Sequence, residues 1–221
     1  MAGLAAVFIF LGNWQLQRGG EKETRLTRYS EADTYTGLPE ANHAIEFSRV
    51  FVKGRFIQNR HILADNQVHK GRPGVHVYSA FNIGKDIHIL VNRGWLAMGA
   101  DRSLPADIET PGETIEIYGH IGPMPGPGRQ LGPEDRIDAG TWPQLVTYPR
   151  LDTISGALET GLYPMVLFLD ENAPAGFDGR DWKPVYMSPA KHRAYAFQWF
   201  ALAAAAISGW VLLGIRRGRN S

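Results

Sequence analysis

The chain has 221 residues, a formal net charge of +1 and no cysteine. The lack of cysteine excludes disulfides, thiolate metal sites, thiol catalysis and a cysteine-based copper chaperone, and the near-neutral charge argues against a nucleic-acid partner. The mean hydropathy lies below zero, which indicates a mostly water-soluble chain with few membrane spans.

The first predicted element is a membrane helix. Met1–Leu16 is apolar except for two polar residues near its end. It is short for a span, which needs about 17 to 25 residues, but it has neither the basic start nor the cleavage site of a signal peptide. We therefore expect a transmembrane helix that begins upstream of Met1 or is tilted and thin at that edge, with Trp14 as interfacial anchor and Arg18 outside the bilayer. Glu21–Tyr35 is predicted to continue as a polar helix.

The middle of the chain, Leu38–Pro189, is predicted as half-buried antiparallel strands separated by Gly and Pro turns. A turn is expected between the second and third of these strands, at Asn59–Arg60. The strand segments are Val50–Val52, Phe56–Ile57, Ile62–Leu63, Val75–Val77, Ile87–Val91, Ile115–Ile117 and Pro164–Leu169. Gly122–Gly132 is predicted as an irregular surface loop, and Leu151–Leu162 as one short helix.

A second membrane span is predicted near the end of the chain. Ala194–Ile215 is a stretch of 22 residues without a charge, enough at 1.5 Å per residue to cross about 30 Å of hydrocarbon. Basic residues flank both ends, and aromatic rings lie where the headgroups would be. These residues are Lys191, His192, Arg193, Tyr195, Trp199, Trp210, Arg216, Arg217 and Arg219.

The predicted fold class is a membrane protein with a two-helix transmembrane hairpin, formed by N- and C-terminal spans, that encloses a strand-rich α+β extramembrane domain. The boundaries are 1–24 for the first transmembrane helix and its polar extension, 25–190 for the domain, 191–215 for the second helix and 216–221 for a basic tail. Basic residues flank both spans, so the positive-inside rule does not decide which side the domain occupies.

His192 is the strongest candidate site residue. Helical spacing places it on one stripe with Tyr195, Ala196 and Trp199. A neutral imidazole at the membrane surface can ligate haem iron while aromatic side chains contact the porphyrin; the alternative is an interfacial histidine that caps the helix and touches headgroups. The other histidines show no metal-ligand spacing, and no nucleophile, phosphate-loop or paired-carboxylate motif suggests an enzyme.

Small residues recur every four positions in the second span, which would let another helix approach closely. The partner is either the first span or a helix of a client protein. These residues are Ala201, Ala205 and Gly209, with Ala204 and Ser208 beside them.

Three ordered motifs resemble those of the surfeit locus protein 1 family, and the resemblance covers essentially the whole chain. LGNWQLQRGGEK (Leu11–Lys22) resembles its L-G-x-W-Q-x-x-R-x-x-x-K, and LVNRGW (Leu90–Trp95) its L-V-N-R-G-W. KHRAYAFQWFALA (Lys191–Ala203) resembles its H-x-x-Y-A-x-x-W-F. After Trp95 the chain reads LAMGADR, where the family often has a proline.

The resemblance implies a membrane-anchored, non-enzymatic assembly factor that helps place haem a in the catalytic subunit of cytochrome c oxidase. It implies either a multi-pass protein of the bacterial inner membrane with a periplasmic domain or a mitochondrial inner-membrane protein that faces the intermembrane space, and the short compact form of the chain favours the bacterial location. The implied partners are that subunit, the bilayer and, as a further candidate, the haem a synthase, with no nucleic acid. His192 matches the histidine proposed as haem ligand in bacterial members. A transient haem a site is therefore expected, with haem iron as its only metal, at His192, Tyr195, Trp199, Trp14 and Arg18.

Two alternatives stay open. One is a scaffold that binds the oxidase subunit without touching haem; the other is a membrane-tethered hydrolase, which no motif supports. For Asn92, Arg93, Gly94 and Trp95 the resemblance implies importance without a role. Arg93 and Trp95 are expected on one strand face, with the guanidinium stacked on the indole, as a structural feature or a docking surface.

Overall fold

The computed structural model describes residues 2–84, 87–105, 108–126, 132, 135–182, 184 and 187–219, apart from the side chain of Arg217. Met1, Lys183, residues 127–131 of the predicted loop and the last two residues of the predicted tail lie outside this description. The chain divides into two compact units, one formed by Met1–Glu31 with Lys183–Ser221 and the other by Ala32–Trp182.

Two long helices lie at the ends of the chain, and the strands and one short α-helix lie between them. The helices are α1 (Ala2–Glu31), α2 (Leu151–Leu158) and α3 (Pro189–Arg219), with one 3-10 turn at Ala41–His43. The strands are β1 (Thr36–Gly37), β2 (Arg49–His69), β3 (Arg72–Asn82), β4 (Ile87–Ala97), β5 (Ile115–Gly122), β6 (Gln144–Val146) and β7 (Gly161–Leu169). The expected strand-rich domain is thereby confirmed.

Five of the strands in the unit Ala32–Trp182 close into a barrel. β2, β3 and β4 form an antiparallel meander, β4 pairs in parallel with β7, and β7 pairs with β5. β5 then returns to pair with the first part of β2, so the ring of hydrogen bonds is complete. This circular Greek-key order, with the third barrel strand beside the fifth, is that of OB-type barrels. The purely antiparallel expectation was wrong for β4 and β7, because the long connection after β5 brings β7 back in the same direction as β4.

The turn predicted at Asn59–Arg60 is wrong. β2 is one continuous strand of 21 residues. Its first part pairs with β5 and its remainder with β3, and the register with β3 shifts between Phe56 and His61. Asn59 takes a left-handed φ of 55° inside this irregularity. The turn residues therefore make a bulge that bends the strand around the barrel, and the chain does not reverse.

The predicted helix Leu151–Leu162 is too long by four residues. Glu159 adopts a φ of 53°, and its backbone N–H closes the helix on Gly156 O, the kind of left-handed end that stops an α-helix. β7 then begins at Gly161, three residues before the predicted strand start. Its Pro164 falls in a register shift against β4, where no ladder donor is needed.

Both faces of the central strand β4 are buried. Ile89 and Val91 belong to the largest apolar cluster, which contains residues of all five barrel strands. Leu90 faces the other way and packs in a second cluster that includes Ile154 of α2. The N-R-G-W signature that follows in β4, Asn92–Trp95, is buried as well.

In the other unit, α1 and α3 pack antiparallel along a seam of small residues. On α1 every seventh residue is buried, at Ala5, Gly12 and Gly19, the 3.5-residue period of helices that wrap around one another. A Cβ on Gly12 would lie 2.7 Å from the Phe200 ring, so the missing side chain is what allows this approach. The residues of α3 that are buried along this seam include His192, Ala196, Ala203 and Ala206.

Both helices differ slightly from the sequence-based limits. α1 ends at Glu31 rather than continuing to Tyr35. α3 begins at Pro189, directly after Ser188, whose Oγ accepts a hydrogen bond from the Lys191 N–H at 3.4 Å. A serine cap followed by proline at the first helical position is a strong start signal.

One helix in the described part of the chain is long and apolar enough to cross a bilayer, over Pro189–Arg216 of α3. α1 does not reach the same hydropathy, because Gln15, Gln17 and Arg18 interrupt its apolar stretch. By length and composition, the second predicted span is therefore supported, while the first stays a prediction.

The predicted small-residue stripe of α3 is not the face that packs on α1. Ala201, Ala204, Ala205 and Ser208 are exposed, and Gly209 is half-buried. The seam follows the 3.5-residue period set by α1 instead of a repeat of four. Packing against the first helix was therefore the wrong alternative for this stripe.

Candidate functional site

His192 lies in the seam between α1 and α3, about one turn from the start of α3. Its side chain is 7% exposed. Gly19 of α1 makes room for it, since a Cβ there would lie 3.3 Å from the His192 Cβ. The site thus depends on a glycine of one helix facing a histidine of the other.

The two ring nitrogens of His192 have different surroundings. Nδ1 lies 2.8 Å from Oε1 of Gln15 on α1. Nε2 is buried and has no hydrogen-bond partner among the described residues. Because buried polar atoms are nearly always paired, an unpartnered imidazole nitrogen is a candidate ligand atom.

Two further contacts flank His192 along the hairpin. On the apolar side, Trp199 stacks on Phe8 of α1, with ring centroids 5.7 Å apart. On the polar side, the Arg193 guanidinium pairs with the Glu23 carboxylate at 3.1 Å. The histidine therefore lies between an aromatic pair and an exposed ion pair.

The other predicted site residues lie outside the seam. Tyr195 is 46% and Trp14 43% exposed. The Arg18 guanidinium lies 5.9 Å from the Trp14 ring centre and pairs with Glu21 at 2.8 Å. The structure places His192 and Trp199 on the seam, and it places Tyr195, Trp14 and Arg18 on exposed helix faces. Tyr195 lies three residues after His192 on the predicted helical stripe, but at its exposed edge, whereas Ala196 of the same stripe is buried in the seam.

Gln15 is the residue that the sequence-based site omitted. It belongs to the motif Leu11–Lys22, and polar side chains inside apolar helices are uncommon and often functional. That signal was available in the sequence. The sequence does not show that His192 is the hydrogen-bond partner of Gln15, because the two residues are 177 positions apart.

The N-R-G-W signature forms a bulge in β4. Gly94 has a φ of 112°, a conformation that favours glycine, and its N–H donates to Oδ1 of Asn92 at 3.1 Å. Trp95 pairs across the sheet with His76, and Asn92 with Tyr78. These pairs put Asn92 and Trp95 on one face and Arg93 on the other, so the predicted stacking of Arg93 on Trp95 is wrong.

Arg93 instead ties three parts of the barrel unit together. Its side chain is 1% exposed and donates to the carbonyls of Ala175 at 2.7 Å and Glu109 at 2.6 Å. The guanidinium lies 4.8 Å from the ring centre of Phe56 and 4.5 Å from that of Phe177. Burial lowers the Arg93 pKa to about 10, so the group stays charged at neutral pH.

A buried histidine and serine lie beside Arg93. The Nδ1 atom of His61 is 2.8 Å from Ser79 Oγ, and its Nε2 is 3.2 Å from Thr110 Oγ1. Burial lowers the His61 pKa to about 4. Ser79 has no exposed surface, so this pair connects β2 to β3 and does not present a nucleophile to a substrate.

Fold and site together define a class: a five-stranded barrel unit in a chain whose two ends form a helical hairpin, one helix of which can span a membrane. A family model described as the SURF1 family matches residues 2–204, and a search of curated proteins finds no match. The chain belongs to the SURF1 family, as the three motifs indicated. This membrane-associated family is known for cytochrome c oxidase assembly.

Proposed function

We propose that this chain is a membrane-anchored assembly factor that assists haem a insertion into the catalytic subunit of cytochrome c oxidase, without being an enzyme. The observation that carries the proposal is the unpartnered Nε2 of His192, whose other ring nitrogen is held by Gln15. An imidazole nitrogen is the ligand that haem iron takes in many proteins.

The proposed anchor is a two-span hairpin of α1 and α3. Antiparallel packing of the two helices supports it, since a helix that accompanies a membrane span over its length shares its environment. Gln15, a polar residue in the apolar part of α1, faces His192 in the seam, and spans tolerate polar side chains where these pair with one another. The barrel between the helices would lie on one side of the bilayer, which we take to be the periplasmic side of a bacterial inner membrane.

The haem is cargo in this proposal, and the site suits release better than storage. His192 would supply one ligand to the iron, and the cations nearby (Lys191, Arg193, Arg18 and Lys22) could pair with propionates in a charge-assisted way. Because Nε2 is buried, the side chains that cover it must move before iron can reach it. A ligand that is exposed only when the site rearranges favours a transient complex.

Absorption spectra test the haem claim. The full chain, purified in detergent from cells that make haem a, should carry a Soret band, and His192→Ala should lose it. His43→Ala, which changes an exposed histidine, should keep it and serves as the control. No band with the wild type, or an equal band in His192→Ala, contradicts the proposal.

A scaffold that binds the oxidase subunit without haem is the second candidate, and the exposed small-residue stripe of α3 favours it. The stripe would receive a helix of the subunit, while the His192–Gln15 bond would merely join α1 to α3. Under this candidate, co-purification of the catalytic subunit survives His192→Ala and is lost in Ala201→Leu/Ala205→Leu. The haem proposal instead expects the Soret band to be lost in His192→Ala and to be kept in Ala201→Leu/Ala205→Leu.

A further inference from the structure

The side chain that faces His192 across the seam determines which of its nitrogens can act as a ligand. Gln15 Oε1 is 2.8 Å from Nδ1. An amide oxygen is an acceptor only, so this contact places the imidazole proton on Nδ1 and leaves the lone pair on Nε2.

The opposite tautomer of His192, with the proton on Nε2, is less favourable. If the Gln15 amide were rotated, its NH₂ group would donate to Nδ1 and the proton would move to Nε2. Nε2 is buried without a partner among the described residues, and a buried donor left unpaired is unfavourable because its hydrogen bonds to water are lost without replacement. Unpaired donors are also rarer in proteins than under-satisfied acceptors. The Nδ1–H form is therefore the one that this seam selects.

From this geometry we propose that Gln15 is the positioning residue of the haem ligand: it holds the His192 ring in the tautomer and orientation that present the Nε2 lone pair to iron. This inference rests on the proposed haem-binding function. A hydrogen-bond partner on the non-ligating ring nitrogen fixes the ring orientation and tunes the basicity of a ligating histidine.

The chemistry of the amide also bears on how strongly the haem is held. A carboxylate in place of Gln15 would accept a charge-assisted hydrogen bond, roughly twice as strong as a neutral one, and would give the imidazole more electron density. An apolar side chain would give it less. Glutamine is intermediate, which suits a ligand that must bind its cargo and then release it.

The test uses the full-length protein in detergent, loaded with iron protoporphyrin IX. Gln15→Glu and Gln15→Leu are compared with wild type, with Gln17→Leu as a matched control, because Gln17 is an exposed glutamine on the same helix. Three quantities are measured on each: the iron–imidazole stretching frequency, the haem reduction potential and the haem dissociation constant.

Gln15→Glu should raise the stretching frequency, lower the reduction potential and slow haem release. Gln15→Leu should shift frequency and potential in the opposite directions and weaken haem binding by roughly 10- to 100-fold. Gln17→Leu should match the wild type. A role confined to joining the helices would not give opposite shifts in Gln15→Glu and Gln15→Leu.

The outcomes separate this inference from the proposed function. If wild type binds haem through His192 but both Gln15 variants keep its frequency and potential, the positioning role is wrong and the haem proposal stands. If Gln15→Leu does not fold, the Gln15→Glu shifts alone decide. If wild type binds no haem, or His192→Ala binds it equally, both proposals are wrong.

Discussion

A single buried guanidinium joins distant parts of the barrel unit. Arg93 connects β4 to the carbonyls of Glu109 and Ala175 through two part-buried hydrogen bonds, and its removal would leave both carbonyls without this donor. Each such loss costs about 1–3 kcal/mol. We predict that Arg93→Met lowers the free energy of unfolding of the full chain by roughly 3 kcal/mol or more, measured by denaturant titration in detergent.

Arg102 provides the control for this prediction. Its side chain is 59% exposed and pairs with Asp65 at 2.7 Å, and exposed ion pairs contribute little. Arg102→Met should therefore change stability by less than about 1 kcal/mol. Equal stabilities of the Arg93 and Arg102 variants would show that the buried cation is not a structural connection.

The buried histidines give stability a pH dependence at the same scale. Burial lowers the pKa of His61 and of His120 to about 4, whereas an unfolded histidine titrates near 6.5. Between these pH values the unfolded chain binds more protons than the folded chain. The stabilising contribution of the two neutral histidines is therefore fully present above about pH 6.5, and it is lost as the pH drops toward 4. Each histidine contributes on the order of 3 kcal/mol to this loss.

The variant His61→Gln tests how much of this pH dependence comes from His61. His61→Gln removes one titrating group, so its thermal midpoint should fall less between pH 7 and pH 4.5 than that of wild type. The exposed His43→Gln should keep the wild-type profile. A His61→Gln profile as steep as that of wild type would mean that His61 is charged in the folded protein.

At the scale of elements, the bulge in β4 determines where the following segment packs. A Cβ on Gly94 would lie 2.5 Å from the carbonyl oxygen of Asp178 and 2.9 Å from that of Phe177, and the positive φ adds strain. Gly94→Ala should therefore destabilise the full chain by at least about 2 kcal/mol. Gly112→Ala is the control, since its Cβ would meet nothing within 4 Å; a neutral Gly94→Ala would contradict the bulge.

The elements also show how far the sequence could lead. Alternation in Ile87–Val91 and the 22 uncharged residues of Ala194–Ile215 predicted a strand and a helix that the structure contains. The turn predicted at Asn59–Arg60 was wrong because the same residue types occur in turns and in bulges, and only the pairing with β3 distinguishes the two. Likewise, Arg93 and Trp95 are two positions apart, yet the inserted residue of the bulge puts them on opposite faces.

The candidate site was predictable in part. His192 and Trp199 could be found from motif and position, because both lie on the face of α3 that meets α1. The seam itself could not be predicted, since α1 has several other small residues and only its packing against α3 selects Ala5, Gly12 and Gly19. Gln15 was visible as a polar residue in an apolar helix, but its contact with His192 depends on how the two ends of the chain pack together.

At the scale of the whole molecule, one unit is formed by the two ends of the chain and the other by everything between. Both proposals depend on the pairing of the ends: α1 and α3 must lie side by side with Gly19 against His192. The chain contains no cysteine, so introduced cysteines can report this pairing without background reaction.

Disulfide formation between Gly19→Cys and His192→Cys is the most direct measurement, because a Cβ at Gly19 would lie 3.3 Å from that of His192, close to the roughly 3.8 Å of natural disulfides. The control pair is Gly20→Cys with His192→Cys, since a Cβ at Gly20 meets nothing within 4 Å. In oxidised native membranes, we predict rapid intramolecular cross-linking of the Gly19 pair, seen as a mobility change on a non-reducing gel, and little for the Gly20 pair. Equal or absent cross-linking in the two pairs would contradict the hairpin, and with it the site between Gln15 and His192.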